Sequence, residues 1–264
     1  MLNCRENGTG PPVILIHGLL GSCATMGRLA RGLAGDFRVL AVDLRNHGSS
    51  FHAGTMTFRE MARDLAAFMD EKHLASAGVA GHSMGGKCAM QLAMDFPDRV
   101  SALAVLDMAP RYYPPLWVPY IQAMLGLDLS QITRRDQAAR ILAAAVPERS
   151  LRGFLLQNLK RTAGQGFSWR AGLAEILAAM EDICAPVDGP PYPGPALFIR
   201  GGASDFVLDE DWQQIRNRFP AAALKTIAKA GHLVHLEHPD LVTGLLADFF
   251  GSPSVRTAAM EKKG

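Results

Sequence analysis

The apolar positions of this chain fall into short unbroken runs separated by helical stripes. Val13-Ile14-Leu15-Ile16 ends at His17-Gly18, the pattern of a buried parallel strand feeding a loop. Arg38-Val39-Leu40-Ala41-Val42-Asp43 is a second run, and Ala102-Leu103-Ala104-Val105-Leu106 a third that closes at Asp107. Between the second and third, Thr57 and Glu60 stand at capping-box spacing. Phe58, Met61, Leu65, Phe68 and Met69 follow at helical intervals, which predicts a helix to about residue 72. A brief strand over 78–81 leads into Ser83, and 84–96 reads as a helix stopped by Pro97.

The pattern changes at residue 111. From 111 to 186 there are no strand-like runs, only prolines, arginines and helical stripes such as Leu173, Ile176, Leu177 and Met180. Strand character returns at Ala196-Leu197-Phe198-Ile199 and again near 224–228. Each of these is followed by a helical stripe, Leu208, Trp212, Ile215 and Phe219 after the first, and 241–250 after the second. Alternating strand and helix predicts an α/β fold with a mostly parallel central sheet flanked by helices. The expected organisation is a core of 1–110 and 187–250, an inserted all-helical cap at 111–186, and a C-terminal tail at 251–264.

Composition narrows the function classes. The 264 residues carry a net charge of +2 without a basic block, so nucleic acid, which needs clustered Lys and Arg, is not an expected partner. No apolar run reaches the roughly 18 residues of a membrane span. The first residues lack the basic start and apolar stretch of a signal peptide. Cys4, Cys23, Cys88 and Cys184 have no Cys-x-x-Cys or zinc-like spacing, so reduced thiols in a cytoplasmic protein are expected.

The chemistry concentrates at loop positions after strands. Gly81-His82-Ser83-Met84-Gly85 is a Gly-x-Ser-x-Gly string between a strand and a helix, the nucleophile elbow of the α/β-hydrolase fold. Ser83 is the expected nucleophile. In such a fold the oxyanion hole is built from the N–H after the nucleophile and one from the loop after the early strand, here Met84 and Leu19. The base is expected after the last strand, at His232, with His235 and His238 as nearby rivals. The spacing of these three histidines resembles a metal site, but Pro239 breaks a common helical face and no Cys or Asp set accompanies them. His17, His47, His52, His73 and His82 read as structural or exposed. Asp43 and Arg45 read as turn residues that tie loops, and Lys87 as structural rather than as the base of a Ser/Lys dyad.

Two acids compete for the third triad position. The common pattern of Gly, two residues, Asp, two residues, Val, laid on Gly201 and Val207, puts the acid at Ser204 and leaves Asp205 one residue out of register. Asp107, at the end of an earlier strand, is the other candidate. Tyr112, Tyr113, Leu116, Trp117, Phe154, Phe167 and Trp169 are candidates to shape an acyl pocket, set against a role in the cap's own core.

Several strings together resemble the YbfF-type esterases, small capped α/β-hydrolases. They are His17-Gly18-Leu19-Leu20-Gly21-Ser22, Asp43-Leu44-Arg45-Asn46-His47-Gly48, Gly81-His82-Ser83-Met84-Gly85-Gly86-Lys87, Leu106-Asp107-Met108-Ala109-Pro110 and Gly231-His232-Leu233-Val234-His235. The likeness runs from about 13 to 250 and includes the segment Phe154-Leu155-Leu156-Gln157-Asn158-Leu159. It implies hydrolysis of small-molecule carboxylic esters or acyl thioesters without a cofactor. It carries Ser83 and His232 over as nucleophile and base and favours Asp107 as the acid. A C–C hydrolase, lyase or perhydrolase would use the same residues, and a ligand receptor with vestigial turnover is the non-enzymatic alternative. Serine at position 83 excludes the usual chemistry of epoxide hydrolases and haloalkane dehalogenases, which place Asp there.

Overall fold

The computed structural model describes residues 1–162, 164, 166–253 and 255. The tail expected over 251–264 therefore lies, at 254 and from 256 onward, outside the described residues. The runs read as buried strands form β2 (Pro12–Ile16), β3 (Arg38–Val42), β4 (Ala77–His82), β5 (Val100–Leu106), β8 (Ala196–Gly201) and β9 (Ala222–Ile227). With β1 (Cys4–Asn7) they make one sheet in the order β1-β3-β2-β4-β5-β8-β9. All pairings are parallel except β1 with β3.

Alternate residues of β2 feed two separate cores: Ile14 and Ile16 one, Val13 and Leu15 the other. A strand buried on both faces must be apolar throughout, which is why these runs do not alternate. One face carries α2 (Phe58–Glu71) and α3 (Met84–Asp95), and the other α1 (Gly27–Leu33) and α11 (Pro239–Gly251). The capping box forms at the start of α2, where Thr57 and Glu60 satisfy each other's backbone N–H groups.

The interval 111–186 holds α4 (Val118–Leu125), α5 (Arg135–Leu142), α6 (Arg149–Leu156), α7 (Leu173–Ala178) and α8 (Met180–Cys184). It is not all helical. β6 (Leu159–Thr162) and β7 (Gly166–Trp169) pair as an antiparallel ribbon. Lys160, Arg161 and Thr162 are all exposed, so the strand lacks the apolar alternation that would have announced it. The interval's apolar side chains do not form a core of their own either. Ile121, Met124, Leu142, Leu155 and Ile176 run on into the cluster over α2 and α3. The remaining helices are α9 (Asp211–Arg218) and the single turn α10 (Val234–Glu237). Among the described residues no helix is long and apolar enough to cross a membrane.

Candidate active site

Ser83 sits between β4 and α3 at φ 53° and ψ −122°. Backbone in such a region costs about 1–3 kcal/mol for a residue with a side chain. Its surroundings hold it there: its N–H donates to the Leu106 carbonyl at 3.1 Å, and its own carbonyl accepts from Gly86 N–H at 2.8 Å. The turn is tight enough that a Cβ on Gly81 would lie 2.1 Å from the Gly85 carbonyl oxygen, and one on Gly85 2.4 Å from that of His17. Both glycines are dictated by the close approach of strand, helix and neighbouring loop.

Asp107 leaves β5 at φ 50°, its N–H bonded to the Ile199 carbonyl on β8. Its carboxylate is fully buried. Oδ1 accepts from Gly201 N–H at 2.8 Å, and Oδ2 accepts from His232 Nδ1–H at 2.8 Å and from the Ser204 hydroxyl. A carboxylate acceptor at Nδ1 places the imidazole proton there and leaves Nε2 with its lone pair. The Phe206 ring lies flat on the imidazole, centroids 3.5 Å apart, and fixes its plane. Asp205 is exposed, and its carbonyl accepts from Arg111. The fold thus brings Asp107 to His232 and leaves Asp205 outside. Ser204, at the position where the common pattern seats the acid, instead donates to the acid from the next strand.

The loop after β2 is held from three sides. Leu20 is left-handed at φ 58°. Its N–H donates to His47 Nε2 at 3.0 Å, and its carbonyl accepts from Asn158 Nδ2 at 2.8 Å. Gly21 N–H closes a turn onto the Gly18 carbonyl. Leu19 N–H and Met84 N–H, flanking Ser83, find no acceptor among the described residues. Beneath the loop, His17 Nε2 accepts from Leu44 N–H while its Nδ1–H donates to Gly18. Burial holds His17 below the usual histidine range, and burial with His17 alongside brings His47 to about 3. Both are neutral struts between backbone groups. Asp43 and Arg45 tie the same loops, Asp43 accepting from Cys23 and Ser49 N–H, and Arg45 pairing with Asp64.

Of the other histidines, His82 and His235 are buried beside His232, His238 is half-buried, and His52 and His73 are exposed. His82 Nε2–H donates to the His232 carbonyl at 2.9 Å. His235 is buried against the His82 ring, and burial with His232 nearby lowers it to about 4. Among the described residues no group of three or more His, Cys, Asp or Glu is arranged to hold a metal ion. Lys87 is almost wholly buried, 1% exposed. Its ammonium donates to the Ala185 and Cys184 carbonyls at 2.6 and 3.2 Å and faces the Tyr113 ring. Burial brings it to about 7.

Two cavities meet at Ser83. The larger, about 700 Å³, is lined by His232, Leu233 and Leu236 on one side and by Leu151, Gly153 and Phe154 of α6 on the other. The smaller, about 60 Å³, lies between Met84, Lys87 and Met108 and the side chains of Met180 and Ile183. Leu19, Ser83 and Trp117 line both. Of the aromatic candidates, Trp117, Phe154 and Tyr113 reach a cavity. Phe167 and Trp169 pack against the core, and Tyr112 is exposed.

Residues 11–140 match the α/β hydrolase fold family. The chain is 36% identical to the sn-1-specific diacylglycerol lipase ABHD11 of Mus musculus, over 91% of this chain and 82% of that protein. It is 35% identical to Esterase YbfF of Escherichia coli (strain K12), over 88% of this chain and 89% of that one. Among solved structures it is similar to a marine microorganism esterase with a TM-score of 0.91 and 35% identity, covering 94% of this chain and 98% of that chain. With this likeness running through both the sheet and the interval over it, the chain belongs to the YbfF-type esterases, ester-cleaving serine hydrolases of the α/β-hydrolase fold.

Proposed function

We propose that Ser83, His232 and Asp107 act as nucleophile, base and acid in cleaving small-molecule carboxylic esters or acyl thioesters through a serine acyl-enzyme. His232 Nε2 takes the Ser83 proton as Oγ attacks the carbonyl carbon, and the oxyanion that forms is met by Leu19 and Met84 N–H. His232 then gives its proton to the departing alkoxide or thiolate. Water, activated by the same nitrogen, attacks the acyl-enzyme and releases the acid and free Ser83. Asp107 holds the Nδ1–H tautomer and stabilises the imidazolium in each half-reaction. Residues 111–186 act as the cap that encloses the substrate, and the cytoplasm is the proposed place of action, a reading supported by four free cysteines.

The observation that most supports this reading is the 2.8 Å bond from His232 Nδ1 to the buried Asp107 carboxylate, on a histidine that shares a cavity with Ser83. Labelling with a fluorophosphonate tests it. One adduct is expected, mapping to Ser83 and absent from Ser83→Ala; labelling that persists in that variant would overturn the assignment.

A further inference from the structure

Resting on the triad reading above, we propose that the two cavities at Ser83 are separate acyl and leaving-group sites, which makes this a hydrolase of short-chain acyl esters of bulky apolar alcohols. The carbon attacked by Ser83 already carries three other substituents, and each has a required direction. The oxyanion lies against Leu19 and Met84 N–H. The leaving oxygen lies against His232 Nε2, which must protonate it. The acyl chain takes the space that remains.

The linings assign those directions to the cavities. His232 lines only the larger one, together with Leu233, His235 and Leu236 from the same stretch of chain. The smaller one is shut off from His232 by Phe206, whose ring lies flat on the imidazole and which itself lines that cavity. Met84, bearer of one oxyanion N–H, lines only the smaller cavity. A leaving group protonated by His232 therefore departs into about 700 Å³ of space. The acyl chain extends past Met84 into about 60 Å³. Leu19, Ser83 and Trp117 line both.

Volume then sets the chain length. A cavity of about 150 Å³ accommodates a benzene ring. The smaller cavity, at about 60 Å³, has room for two or three carbons beyond the carbonyl. Of its walls, Met108, Met180 and Ile183 are buried, while Pro114 and Leu116 are exposed. Lys87 lines it too, but its ammonium is already taken by two backbone carbonyls, so the cavity favours an uncharged chain. The larger cavity is of the size that holds a drug-sized ligand, roughly 300–1,000 Å³, and its walls set four leucines, Trp117 and Phe154 beside the polar Glu148, Arg149 and Gln157.

Two ester series test this, one varying the acyl chain from acetyl to decanoyl on 2-naphthol, the other varying the alcohol of butyrate from methyl to 2-naphthyl. The expected result is a fall in kcat/KM of about tenfold or more between butyryl and octanoyl in the first series, and a rise of similar size from methyl to naphthyl in the second. Met180→Ala, which widens the small cavity, should raise the octanoyl-to-butyryl ratio about tenfold. Gly153→Leu should lower the naphthyl-to-methyl ratio, because a side chain there projects into open space in the large cavity while improving the helix. Activity that climbs through octanoyl, or that ignores alcohol size, overturns the assignment, as do ratios unmoved in both variants. Ser83→Ala separates the two levels. If it abolishes turnover while long acyl chains are preferred, only the site assignment fails; if it leaves turnover intact, the catalytic reading fails beneath it.

Discussion

The loops beneath Ser83 and the interval above it balance polar bonding and apolar packing differently. Below, polar groups bind backbone at close range: Asp43 accepts from Cys23 N–H, Ser49 N–H and the Asn3 side chain, His17 accepts from Leu44, and His47 from Leu20. Above, in 111–186, apolar side chains such as Ile121, Met124 and Leu155 pack down onto the core, and polar ties flank that packing. They include Asn158 to Leu20, Gly172 N–H to the Asn46 carbonyl, Lys87 to the carbonyls of Cys184 and Ala185, the Arg111–Asp211 ion pair, and the Tyr113 hydroxyl to the Phe206 carbonyl. Hydrogen bonds have direction and fix positions, as an oxyanion site requires. Apolar packing tolerates exchanges of similar volume, as a changing substrate requires. In the proposed mechanism the first holds the chemistry and the second shapes the specificity.

The sharpest test of the lower region is Asp107→Asn against Asp205→Asn. In the proposed mechanism the first loses about 10⁴-fold in kcat, because an amide at that position favours the wrong imidazole tautomer. The second is expected to stay within a few-fold. Circular dichroism alongside the kinetics checks that both fold, and a crippled Asp205→Asn beside a normal Asp107→Asn would reverse the choice.

Asp43→Ala should destabilise the fold by about 2–4 kcal/mol without touching the triad, since it leaves buried N–H donors unpaired. Urea denaturation measures it. A loss under about 0.5 kcal/mol would mean the loops are held mainly by packing.

Asn158→Ala cuts the tie through which the upper region reaches Leu20. A fall of about tenfold in kcat with little change in KM is expected, because in the proposed mechanism the Leu19 N–H is needed only once the oxyanion forms. An equal rise in KM with unchanged kcat would assign Asn158 to substrate binding instead.

Lys87→Met gives the smallest effect at any one pH, and its sign is set by burial. Lys87 loses its proton near 7 in the fold but near 10.5 in the unfolded chain. Between those values the unfolded chain binds more protons, so this residue makes stability rise with pH and withdraws that gain as pH falls through 7. Relative to Lys87→Met, the protein should gain about 1 kcal/mol between pH 7 and 8, read from urea midpoints. A difference that stays flat with pH would show the ammonium to be satisfied by its two carbonyls.

What was legible in the sequence was whatever leaves a local mark. A strand buried on both faces must be apolar throughout, so β2, β3, β5 and β8 were readable as runs. The elbow was readable because its tight turn requires glycine at 81 and 85. The capping box of α2 was readable from Thr57 and Glu60 alone. Strands half exposed at an edge leave no such mark. β1, with Arg5 and Glu6 outward, and the β6–β7 ribbon were invisible until their partners were in place.

Only the tertiary structure shows which of Asp107 and Asp205 reaches His232. Both follow strands, and spacing along the chain says nothing of distance across the sheet. The parallel pairing of β5 with β8 sets Asp107 beside Gly201 and Ser204, under His232, while Asp205 turns outward. The roles of His17 and His47 were hidden for the same reason, since what they bind is backbone 27 residues away. Residue type marks what a side chain can do, but its partner across the sheet is fixed by strand register, which arises only when the whole sheet assembles.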